Sequence, residues 1–156
     1  MAYAADTSVS VAKSEADIKS VIRRYGATSF ASFETSLAAM IAFEMQGRRV
    51  VFKLPLPDPK STQFTETPSG RWARSEKQAH DAWEQACRSR WRALHLCIKA
   101  KLEAVEAGIE TFEDAFLAHI QMPDGLTVAE HVRPKIAVAY ESWTMQPLLP
   151  APKGSM

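Results

Sequence analysis

Charge of one sign is what this chain most lacks. Its 19 lysines and arginines face 18 acidic residues, which leaves a formal net charge of +1. No global basic field exists to gather polyanions, so a nucleic-acid partner would have to be held by local clusters. Cysteine is scarce as well, with only Cys87 and Cys97. Both fall in one expected helix, where ten positions at a rise of about 1.5 Å separate them by about 15 Å. A disulfide needs Cα atoms within about 7 Å, so the pair reads as reduced packing residues of a cytoplasmic protein. No apolar run approaches about 18 residues, the length a membrane-spanning helix needs. The start, MAYAADTSVSVAKSEAD, lacks the basic end and apolar run of a signal peptide. HExxH, GxSxG, phosphate-loop and Rossmann patterns are all missing.

What is present suits one soluble globular domain. The chain has 156 residues, 46% of them apolar and 24% charged, which is enough for a real core. Residues 1–13 are small and polar and read as a flexible arm, 14–142 as a single α+β domain, and 143–156 as an extended Pro-rich tail.

Period then sorts the domain. Ser14 with Asp17 resembles a capping box, and Ile18, Val21, Ile22 and Tyr25 make a helical stripe. From Ser36 the pattern alternates: Leu37, Ala39, Ile41, Phe43 and Met45 share a face. After a turn at Gln46-Gly47-Arg48, Val50, Phe52, Leu54 and Leu56 do the same, with Arg49, Val51 and Lys53 opposite. These two runs make a β-hairpin, and TSFASFE, with Phe30 and Phe33, is a candidate third strand. A long Pro-, Ser- and Thr-rich loop, 57–74, follows. Ser75 with Gln78 caps a helix that runs to Ala107 before Gly108. Thr111 with Asp114 and Thr127 with Glu130 start two shorter helices, the second with Pro134 inside, which implies a kink or break. The expected fold is therefore α+β: an N-terminal helix, a small antiparallel sheet of two or three strands, one long helix laid across it, and short C-terminal helices completing the core.

The richest stretch is Gly70–Lys101, with three of the four tryptophans and more than a third of the lysines and arginines. Within its long helix, Trp83, Cys87, Trp91, Leu94, Ile98, Leu102 and Val105 form one apolar stripe. A separate side carries Lys77, Asp81, Glu84, Arg88, Arg92, His95 and Lys99, and its second half has no local acids. Arg71, Trp72 and Arg74 precede it in the loop. An exposed indole can stack on any base, and arginine is suited to bidentate phosphate contact. The candidate nucleic-acid-binding set is therefore Arg71, Trp72, Arg74, Arg88, Arg92 and Lys99, extended by Arg49 and Lys53 on the outer sheet face.

Other chemistry is thinner. His80 and Glu84 have helix-compatible metal spacing, and Glu103 and Glu106 share a helix face, but neither pair completes a site. No catalytic residue, metal or cofactor is expected.

VVFKLPLPD, followed by WRALHLCIKAKLEAVEAGIETFEDAFLAHIQMPDGLTVAEH, resembles a family of small, largely uncharacterised bacteriophage proteins over most of residues 14–149. The resemblance implies a phage gene expressed in a bacterial cytoplasm and carries no catalytic residues. Three functions follow as expectations. The first is non-enzymatic binding of nucleic acid, single-stranded DNA foremost, in phage replication or recombination. The second is a protein-interaction factor that inhibits a host enzyme or defence complex, with Trp72 and Arg74 as interface anchors. The third is a small metal-dependent enzyme using Glu103 or His80. A homodimer through the apolar stripe of the long helix is expected as well.

Overall fold

The computed structural model describes residues 3–151. Its first helix, α1 (Val11–Arg24), begins three residues before Ser14, because Ser10 is the residue whose hydroxyl accepts the Lys13 amide. Ser14 is instead fully buried, and the expected stripe Ile18, Val21 and Ile22 faces the core. Part of the segment expected as a flexible arm is thus helical. The part ahead of it is tied down: Ala4 is buried, and the Gln85 side-chain amide donates to the carbonyls of Ala5 and Thr7. Residues 1 and 2 lie outside the described range.

The sheet has three antiparallel strands in chain order: β1 (Ser29–Glu34), β2 (Ala38–Met45) and β3 (Arg48–Pro55). The β2–β3 turn places Gln46 at φ 50° and Gly47 at φ 73°. Two positive values match the right-handed twist of the strands, the reason Gly is favoured in such turns. Ala39, Ile41, Phe43 and Met45 from β2 and Val50 and Phe52 from β3 are buried on the inner face. Leu37 precedes β2 and is exposed. Phe30 and Phe33 differ by an odd number of positions, so period 2 sends them to opposite faces. Phe30 packs on the core, and Phe33 stands in solvent on the outer face.

Loop 57–74 carries one helical turn, α2 (Thr62–Thr65), and leads into α3 (Glu76–Glu106), which opens with the expected Ser75–Gln78 capping box. Cys87, Trp91, Leu94, Ile98 and Leu102 of α3 are buried, with Trp83 and Val105 half-buried beside them. Full burial of such a side chain contributes roughly 1.5–3 kcal/mol. The stripe is covered from within the chain, by the sheet, α1, α2 and the short helix that follows α3.

After Gly108, α4 (Phe112–Phe116) runs into a 3-10 turn, Leu117–His119. Phe112, Ala115, Phe116 and Ile120 are all buried. Phe116 meets Phe43 and Phe52 edge-on at 6.0 and 6.2 Å between centroids. Ile120 then bridges to Val50, and the Gln121 amide donates to the Arg49 carbonyl at 2.8 Å, which covers part of the free edge of β3. The turn at Met122-Pro123-Asp124-Gly125 follows, and Thr127 caps α5 (Val128–Ser142) by accepting the Glu130 amide.

This last helix runs unbroken through Pro134, which leaves of the two expectations the kink and not the break. It buries none of its residues, so against expectation it does not complete the core. The described part of the tail runs back along it, where Lys135 donates to the Pro147 carbonyl. Residues 152–156 of that tail lie outside the described range.

Candidate interaction surface

Loop 57–74 folds into a braced finger. Thr67-Pro68-Ser69-Gly70 forms its tip turn, closed by a Gly70 amide to Thr67 carbonyl bond of 2.8 Å. Pro in the second position and Gly in the fourth are the residues such a turn favours. The two arms pair through a Glu66–Ala73 bridge, with the Thr67 amide on the Trp72 carbonyl and the Arg74 amide on the Thr65 carbonyl. Both ends are pinned. The Trp83 indole donates to the Pro57 carbonyl at 2.7 Å, and the Arg74 guanidinium donates to the carbonyls of Gln63 and Phe64 at 3.2 Å each. Phe64 folds back into the protein, whereas Trp72 remains 72% exposed.

The eight expected nucleic-acid residues therefore divide. Arg71 and Lys99 make no side-chain hydrogen bond or ion pair among the described residues, and the Trp72 indole is likewise free. Arg74 braces the finger. Arg88 donates twice to the Gln85 side chain, at 3.0 and 2.6 Å, next to the N-terminal segment that Gln85 holds. Arg92 pairs with Asp17 of α1 at 2.9 Å, with both side chains largely covered. On the sheet, Arg49 pairs with Glu44 at 2.8 Å and Lys53 with Glu130 at 2.6 Å. Exposed pairs of this kind are weak, but each acid cancels the field of its base.

The basic side of α3 is not an open face, because α1 docks against it. His95, expected among the exposed charged residues, is buried. Burial, then Arg92, pushes its imidazole below the ordinary histidine value. His119 is also pushed down by burial, where it stacks on Phe52 at 4.0 Å. Cys87 is buried, and its thiol is raised by that burial. Cys97 is exposed, so it is not the packing residue expected. His80 contacts Glu84 at 3.0 Å at the exposed start of α3. Glu106 accepts from the Tyr25 hydroxyl at 2.5 Å, and Glu113 pairs with Arg48 at 2.9 Å. Among the described residues no three His, Cys, Asp or Glu side chains gather where they could hold a metal ion.

A surface depression of about 810 Å³ lies over the turn ends between Thr28, Arg48, Arg49 and Gln121. Its two arginines are the ones paired with Glu113 and Glu44. A second apolar surface escaped sequence reasoning. Ile136, Val138, Tyr140, Trp143 and Met145, on α5 and just beyond it, are all exposed. The available signal was the run Ile136-Ala137-Val138-Ala139-Tyr140, which is apolar on every side of a helix and therefore calls for cover all round.

No protein-family model matches the chain, and no curated protein or solved structure matches it either.

Proposed function

We propose that the protein is a non-enzymatic interaction factor that docks a protein partner through the finger bearing Trp72. The observation that carries this reading is a tryptophan held 72% exposed on a loop braced at both ends. Tryptophan and arginine dominate the energetics of protein interfaces, and a pre-ordered anchor loses little freedom on binding. The charge around the finger is mixed, with Asp58, Glu66 and Glu76 beside Lys60, Arg71 and Lys77. A phosphate chain draws most of its affinity from uncancelled positive charge. Five of the eight expected basic and aromatic contacts are engaged inside the fold. In the bacteriophage setting that the sequence resemblance implies, the partner is a host protein of the bacterial cytoplasm.

Single-stranded nucleic acid is the second reading, favoured by the free Arg71 next to the open indole of Trp72. A labelled single-stranded oligonucleotide titrated at two salt concentrations separates the two. Docking of a protein partner goes with affinity no better than about 10⁻⁴ M at physiological salt, the weak end of nonspecific binding. Micromolar binding that collapses with salt and is lost in Trp72→Ala would transfer the finger to nucleic acid.

A further inference from the structure

The run Ile136-Ala137-Val138-Ala139-Tyr140 of α5 is apolar on every side, yet α5 buries none of its residues, and the tail runs back along it through Lys135. A lone helix of about 15 residues is marginal in water, and most helical stability comes from a packed face. Tyr140 is 75% and Trp143 87% exposed. Large aromatics bury about 150–250 Å² each when covered. Ile136, Val138 and Met145 are exposed beside them.

The arrangement of side chains says what covers it. At about 100° per residue, Arg133, Ala137 and Glu141 form one i, i+4, i+8 row along the helix. Ile136 and Tyr140 flank that row on one side, and Pro134 and Val138 flank it on the other. All seven residues are exposed. Arg133 and Glu141 carry opposite charges and have no ion-pair partner among the described residues. Ala137, midway between them, is small enough for another backbone to approach closely.

We propose that this face is the seam of a homodimer in which two copies of α5 pack antiparallel about a two-fold axis at Ala137. The symmetry satisfies each row at once. Each Arg133 falls opposite the second copy's Glu141, so two ion pairs form. Ile136 of one helix meets Tyr140 of the other, and Pro134 meets Val138. Antiparallel pairing also sets opposite helix ends side by side, which is favourable for the helix dipoles. An isologous contact of this kind closes on itself and stops at two copies.

The test is sedimentation equilibrium over a concentration series on the full chain, with far-UV circular dichroism confirming that each variant is folded. Wild type is expected to be dimeric at micromolar concentration. Arg133→Glu and Glu141→Arg, each placing like charges opposite one another, are expected to weaken the dimer about tenfold or more, and the double exchange to restore it to within about threefold. Ala137→Glu should give a monomer. A wild type that stays monomeric at about 100 μM would overturn the proposal, because its dissociation constant would exceed that of a specific dimer. A dimer indifferent to all the α5 variants would overturn it equally, as would failure of the double exchange to recover association.

Discussion

Asp17 sits between two cations, Lys13 at 2.7 Å on its own helix and Arg92 at 2.9 Å on α3. Their hydrogen bonds, that of Lys13 first, hold its carboxyl down to about 2 from an ordinary 3.8. A carboxyl depressed on folding stabilises the native state above its ordinary value, and loses that effect as pH falls through the depressed one. Asp17→Asn should therefore melt at a lower temperature than wild type at pH 7. The gap should close between about pH 4 and pH 2, as both chains come to carry a neutral group at this site. Equal melting temperatures at pH 7 would show that the Arg92 contact does not hold α1 to α3. This contact was not legible in the sequence. The Lys13–Asp17 spacing is local, but Arg92 lies 75 positions further on. The apparent capping box at Ser14 also gave Asp17 a different role, but the helix is capped by Ser10, whose hydroxyl accepts the Lys13 amide.

At the level of single elements, the finger and α3 illustrate what periodicity captures and what it leaves open. The apolar stripe of α3, its capping box and its stop at Gly108 were all readable, because each depends on residues within a turn or two. The use of its polar side was not, because that depends on where α1 docks. Arg88, Arg92 and His95 look like an open basic track on a helical wheel, and become half-covered or buried once α1 and the N-terminal segment are in place. Loop 57–74 had no period to read, and its order comes from two side chains, Arg74 and Trp83, that reach back to main-chain carbonyls. Hydrogen bonds from charged groups contribute about 1.5–3 kcal/mol when buried. Arg74 is only partly covered, so Arg74→Ala should loosen the finger by about 1 kcal/mol. Hydrogen exchange at the amides of residues 67 and 74 should quicken about fivefold, with the α3 core unchanged. Trp72→Ala, by contrast, should leave stability within about 0.5 kcal/mol of wild type, as expected of a side chain that packs on little. Unchanged exchange in Arg74→Ala would mean that the finger is held by its bridge alone.

For the molecule as a whole, the α+β order, the three-strand sheet and the long helix across it follow from alternation, 3.6-residue stripes and caps. What did not follow is which surfaces remain once those elements meet. Charges scattered through the sequence at near balance find one another across the fold: Arg48 with Glu113, Arg49 with Glu44, Lys53 with Glu130, Arg92 with Asp17. The expected basic surface is reduced to Arg71, Lys99 and their neighbours. Among the apolar features that stay open are Trp72 on its finger and the outer half of α5. No helix of the described residues is long and apolar enough to cross a membrane, so neither feature belongs to a membrane-spanning helix. The first is assigned here to a foreign protein and the second to a second copy. The most direct test of the first assignment is affinity capture from a nuclease-treated bacterial lysate, with wild type and Trp72→Ala compared side by side. The expected result is a protein that wild type retains in stoichiometric amount, that survives nuclease treatment, and that Trp72→Ala loses. Identical captures by the two chains, or capture that disappears with nuclease, would contradict protein docking through Trp72.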